Sequence, residues 1–261
     1  YIIIAPALLY YLVFQYIPMF GNVIAFQDYA VARGILKSHF VGLENFKDFL
    51  SNYKFWQLVR NTLSINIYGL MFSFPAPIIL ALLLNELKNL RFKKLVQTIT
   101  YMPHFISTVI ICSMVLSFVS SDGVINVIRQ MLGMEKIIFL TKPQYFYPIY
   151  IISDIWQGIG WGSIIYIAAL SSIDPQLYEA ATIDGAGRWK QMLHITLPGI
   201  TDTIVLLLIL RIGQMLSVGY EKVMLLYNPS IYETADVIST YVYRQGLLET
   251  NYSYSAAVGL F

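Results

Sequence analysis

The sequence predicts an all-α, polytopic membrane protein with about six transmembrane helices, and three observations carry that expectation. Of the 261 residues, 57% are hydrophobic and only 12% are charged. The mean hydropathy is +0.62, whereas an ordinary soluble domain is about half apolar and a quarter charged. The apolar residues also fall into long runs, with the charges confined to the gaps between them.

A helix crossing about 30 Å of hydrocarbon needs roughly 20 mainly apolar residues. That ruler marks spans at Tyr1–Ala25, Leu63–Leu84, Thr98–Val119, Tyr147–Leu170 and Thr203–Gly219, with a sixth opening near Tyr254. The first run is too long for a signal-peptide core and lacks a basic start, so it reads as a span. The chain starts and stops inside apolar sequence, and further residues are expected at both ends. Pro6, Pro18, Pro75, Pro77 and Pro103 fall in or beside these runs, where kinks are expected.

Lys88, Arg91, Lys93 and Lys94 crowd the short link at 85–97, which the positive-inside rule places in the cytoplasm. Counting spans then puts 171–202 on the same side, and 26–61, 120–146 and 220–253 outside. Residues 1–261 read as one transmembrane domain, with no soluble domain in the sequence.

The net charge of +2 is spread over loops rather than gathered in a stripe, which excludes nucleic acid as a partner. The lone Cys112 excludes an intrachain disulfide framework. His39, His104 and His194 stand apart from any metal-ligand spacing, and no phosphate-binding glycine loop occurs. No catalytic or metal site is expected: an intramembrane enzyme would need paired polar catalytic groups at matched depth, and the only such pair, Asp154 with Arg211, lacks a nucleophile.

The most informative stretch is SSIDPQLYEAATIDGAGRWKQMLHITLPGI, 171–200. Asp174 and Pro175 form a helix start, the carboxylate capping amides and the proline preset for the first turn. A helix from Pro175 to about Ile183, roughly 13 Å long, is too short to span and lies along the cytoplasmic surface. Asp184 and Gly185 close it. A second helix is expected from Ala186 to about Thr196, stopped by Pro198.

The sequence Glu179–Ala186, EAATIDGA, followed by Ile195, Leu197 and Pro198, resembles the EAA loop of the permease subunits of binding-protein-dependent ABC importers. FQYIPMFGNVIAFQDY and YNPSIYETADVISTYVYRQGL resemble the oligosaccharide and polysaccharide branch of the maltose-type permeases. The resemblance implies a bacterial cytoplasmic-membrane subunit working by alternating access. Its expected partners are a second permease of the same fold, two ATP-binding cassette ATPases and an extracytoplasmic solute-binding protein. It also implies a sugar cargo; a peptide or amino acid is the alternative, since the loop does not read the cargo. ATP and Mg would be bound by the ATPase and no cofactor by this chain. Glu179, Ala180, Ala181, Asp184, Gly185, Ala186, Ile195, Leu197 and Pro198 are the implied coupling residues.

Within the spans, Asp154 and Arg211 lie at matched depth in adjacent antiparallel runs and are expected to pair, because a lone intramembrane charge is costly. Trp156, Gln157, Trp161, Tyr166, Tyr68 and Gln214 are candidates for a sugar path, as aromatic faces and amides suit sugar rings. Tyr220, Glu221, Tyr227 and Tyr232 are candidates to meet a docked binding protein. Gly158 and Gly162, with Gly160 between them, read as a close-packing stripe.

Overall fold

The computed structural model describes residues 4–215 and 218–261. Its main helices are α1 (Ala5–Phe26), α2 (Glu44–Ser51), α3 (Phe55–Glu86), α4 (Leu90–Tyr101), α5 (Thr108–Met131) and α6 (Phe146–Leu170). They are followed by α7 (Pro175–Ile183), α8 (Arg188–Gly199), α9 (Thr201–Gly213), α10 (Tyr220–Leu226), α11 (Ile238–Tyr243) and α12 (Tyr252–Leu260). Two short strands, β1 (Gln27–Asp28) and β2 (His39–Phe40), pair antiparallel.

Among the described residues, α1, α3 and α5 are each long and apolar enough to cross a membrane, and the bent pair α8 and α9 passes the same test only when its two helices are taken together. The 25-residue α6 has the length, but Asp154, Gln157 and its glycines dilute its hydropathy. The nine residues of α12 begin the sixth expected run. In α1 none of the most apolar 18-residue window is buried by the rest of the chain. A helix this apolar, uncovered by its own chain, requires lipid or another protein around it.

Several boundaries differ from the expectation. The third run, Thr98–Val119, is broken: α4 ends at Tyr101, a 3₁₀ turn covers Met102–Phe105, and α5 restarts after Ser107. Pro103 removes a backbone donor, and the Ser107 hydroxyl accepts from the Ile110 amide, giving the chain a stop and a fresh start. The basic link is likewise mostly helix. The Asn89 side chain accepts from the Arg91 and Phe92 amides and launches α4. The first three residues of the first expected run, and Leu216 and Ser217 of the fifth, lie outside the described residues.

The prolines are accommodated by a recurring device. π-Turns at Leu12–Tyr16, Gly69–Ser73 and Met192–Thr196 each end just before Pro18, Pro75 and Pro198. In each, the amide of the residue preceding the proline bonds five residues back, as Phe74 does to the Gly69 carbonyl at 2.9 Å. The wider turn frees the carbonyls that a proline would clash with or leave unpaired. Pro198 therefore does not stop its helix, as the sequence suggested. The chain instead turns at Ile200, where α8 and α9 meet at 57°.

The chain divides into two compact units. One comprises the segments up to Asn61 and Asp236–Phe261, the other Thr62–Ala235. In the first, Phe49, Phe55, Leu58, Tyr241, Tyr254 and Val258 form an apolar core. Asn52 lies over it, its amide within 3.2 Å of the Tyr254 hydroxyl. Asp236 is 3% exposed at its side chain and pairs with Arg244 at 2.5 Å.

In the second unit, α6 is the central helix. Ile78, Ala81, Tyr166, Leu170 and Ile200 gather α3, α6 and the start of α9 into one cluster. The expected GxxxG spacing is shifted. A Cβ on Gly160 would overlap the Thr100 carbonyl, and one on Gly162 would meet Pro77 at 3.0 Å, whereas Gly158 faces open space. We expect Gly160→Ala to push α4 off α6 and destabilise the protein by about 1–3 kcal/mol. Gly158→Ala should be silent. Thermal unfolding in detergent reads both, and equal effects would refute the assignment of the contact to Gly160.

The expected outside segments within this unit are tied by side-chain amides. Asn126 is buried, donates to the Ser120 and Ile137 carbonyls and accepts from the Ile137 amide at 2.9 Å. Asn228 donates to the Leu140 carbonyl at 2.7 Å, and the Thr234 hydroxyl to the Pro143 carbonyl at 3.0 Å.

Candidate functional site

Two places in the second unit concentrate unusual chemistry: the corner formed by α7 and α8, and the polar interior beside α6.

The corner is built from strong local signals. Asp174 accepts from the Gln176 amide at 2.9 Å, and Pro175 occupies the first turn, so α7 starts where the sequence places it. It ends at Ile183 in a Schellman motif. The Gly185 amide bonds to the Thr182 carbonyl at 3.1 Å and the Ala186 amide to the Ala181 carbonyl at 2.9 Å. Gly185 has φ +77°, the left-handed region that glycine enters without strain. The second helix starts at Arg188, later than expected, with Gly187 as its cap.

Three hydrogen bonds not evident in the sequence fix the angle of the corner. Gln191 donates to the Thr182 hydroxyl and to the Ala186 carbonyl, both at 3.0 Å. The Tyr178 hydroxyl donates to that of Thr196 at 3.1 Å. These bonds tie the two helices to one another across the turn.

The corner's outer surface is open. Glu179, Ala180, Asp184, Gly185 and Pro198 are exposed, and Ala181, Ala186, Ile195 and Leu197 are half-buried. Beside them Leu177, Ile183 and Trp189 are left uncovered, Ile183 at 87% exposure. A charge, small residues and bare apolar side chains around a rigid turn suit a protein partner.

In the interior, Asp154 stands at the junction of three cavities of about 360, 560 and 100 Å³. Its carboxylate does not pair with Arg211, as the matched depths suggested. It is bound by Lys222 of α10, with Nζ to Oδ1 at 3.4 Å, and the lysine side chain is only 9% exposed. Helical rise gave the right depth for Arg211 but could not foresee that α10 turns back into the protein. The Lys222 ammonium also lies 4.7 Å from the centre of the Tyr150 ring. Arg211 lines two of the same cavities with Asp154.

The aromatic and amide residues chosen from sequence are not brought to one place. Tyr166 and Gln214 line the 360 Å³ cleft, although Tyr166 is also core. Gln157 faces the 560 Å³ cavity and donates to the Ile106 carbonyl at 3.4 Å. Tyr68 packs on Tyr147 beside a separate apolar pocket. Trp161 stacks on His104 with ring centres 4.5 Å apart, and Trp156 is 40% exposed. Cys112 is buried, and no group of metal-binding side chains occurs among the described residues.

Residues 50–230 match the family described as the binding-protein-dependent transport system inner membrane component. The polygalacturonan/rhamnogalacturonan transport system permease protein YteP of Bacillus subtilis is 50% identical over 262 residues, covering 100% of this chain and 82% of the relative. Protein LplB of the same organism is 48% identical with the same coverage. One chain of the crystal structure of a bacterial alginate ABC transporter, in complex with an alginate pentasaccharide-bound periplasmic protein, superposes with a TM-score of 0.92 at 44% identity. The match covers 100% of this chain and 87% of that one. With the family match over most of its length and the fold agreeing throughout, this multi-pass chain belongs to the binding-protein-dependent transport system inner membrane components, the permeases of ABC importers.

Proposed function

We propose that the chain is one half of the membrane pathway of an ATP-driven importer for oligosaccharides or polysaccharide fragments in a bacterial cytoplasmic membrane. It pairs with a second permease of the same fold and receives cargo from an extracytoplasmic binding protein. Two ATPase subunits bind ATP and Mg and dock at the corner of α7 and α8. The observation that carries the coupling role is that corner: a capped helix, a left-handed glycine turn and a second helix, cross-tied by Gln191 and Tyr178, with an exposed Glu179. The sugar cargo is supported by the relatives named above.

The reading requires the corner to face the cytoplasm. Lys88→Cys and Lys190→Cys should be shielded from an impermeant thiol reagent in intact cells and react after lysis. Ser230→Cys should react from outside. The native Cys112 is buried and gives little background. Labelling of the first two in intact cells would place the corner on the wrong face and refute the docking role.

A further inference from the structure

Arg211 is set apart from the other charges of the second unit. Its guanidinium lies against the π-turn of α3, where a Cβ on Gly69 would stand 3.1 Å from Nη2. Asp154, the acid lining the same cavities, is taken by Lys222. Among the described residues Arg211 has no carboxylate within ion-pair distance. The three charges therefore sum to one uncompensated positive charge on a half-buried residue among membrane-spanning helices. A charge in that position is expensive, and an unpaired one is a default sign of a site.

The surroundings fit a ligand better than a structural bridge. The 360 Å³ cleft brings Arg211 together with Gln214, Tyr166 and Ser73. The Ser73 hydroxyl oxygen is shielded from solvent and has no hydrogen-bond partner among the described residues. A planar fork of donors suits a carboxylate, and an amide, a hydroxyl and an aromatic ring suit the rest of a sugar. We propose that Arg211 binds the carboxylate of acidic sugar residues as they pass, so that the cargo is a uronate-containing oligosaccharide. This rests on the oligosaccharide reading above and narrows it. The polygalacturonan and alginate named for two of the relatives are both polyuronates, which favours the same charge in this chain's cargo.

The test uses the complete importer in vesicles with its own binding protein. Tetragalacturonate and tetramannuronate are each supplied beside the carboxyl-reduced, neutral tetrasaccharide of the same linkage. Arg211→Gln should lower uptake of the acidic cargo by roughly tenfold or more, the loss of a charge-assisted bidentate contact. Uptake of any neutral counterpart should be unchanged. Arg211→Lys should fall between, since it keeps the charge and loses the fork. Equal losses for acidic and neutral cargo would overturn the proposal and give Arg211 a fixed carboxylate partner, such as one from the second permease. Import of neutral sugars only, or acidic uptake indifferent to Arg211→Gln, overturns it and leaves the oligosaccharide reading standing. Uptake of none of the four by the unaltered importer overturns both.

Discussion

Gly185→Val is expected to abolish most transport while leaving the protein inserted and folded. A Cβ at Gly185 would meet nothing, so the substitution creates no clash. Its whole effect is conformational: φ +77° is a region that a β-branched residue enters at roughly 1–3 kcal/mol. The Schellman turn must then open, and the bonds from Gly185 and Ala186 that fix α7 against α8 are lost. Glu179→Ala acts in the same direction by removing an exposed charge from the docking surface. For both variants, sugar uptake and substrate-stimulated ATP hydrolysis should fall by at least about tenfold, the equivalent of 1.4 kcal/mol of lost coupling. Less ATPase should copurify, with expression near normal. Normal copurification and uptake in both would falsify the corner as the coupling element.

The same corner shows what a sequence can and cannot reveal. Asp174, Pro175 and Gly185 act through their own backbone, and the bounds of α7 follow from residue type alone. Apolar runs behave similarly, because hydropathy is a local property, and they placed the spanning segments well. Breaks set by competition between neighbours were harder to foresee. Pro103 does end a helix because Ser107 stands ready to cap another, whereas Pro198 ends nothing because a π-turn absorbs it. The same residue type thus gives opposite outcomes. Contacts between distant segments were legible only as depth. Asp154 was recognised as a charge needing a partner, but Lys222 lay in a segment read as outside, 68 residues away. Gly160 rather than Gly158 faces α4 for a similar reason: the spacing marks a stripe of small residues, and only the neighbour's position says which of them is touched.

Asp154→Asn should damage the protein more than Lys222→Met, although each breaks the same pair. Removing either partner of a buried ion pair strands the other in a medium that solvates it poorly, at about 3–5 kcal/mol. The low end, near 3 kcal/mol, applies here because the Asp154 side chain keeps 39% exposure. The third charge then separates the two variants. Lys222→Met leaves Asp154 beside Arg211, which lines the same cavities, so the site holds one charge of each sign and the arginine can take over as partner. Asp154→Asn leaves Lys222 and Arg211 as two cations with no acid, and the lysine side chain is 9% exposed. The double variant returns the site to a single positive charge, as in the unaltered chain. Thermal unfolding of the purified complex in detergent should therefore rank the unaltered protein first, Lys222→Met above Asp154→Asn, and the double variant well above the sum of the two losses. Adding Arg211→Gln to Lys222→Met should erase that variant's advantage, since it removes the substitute partner. Equal and strictly additive losses would show that Asp154 and Lys222 do not depend on one another and that Arg211 is out of reach of both.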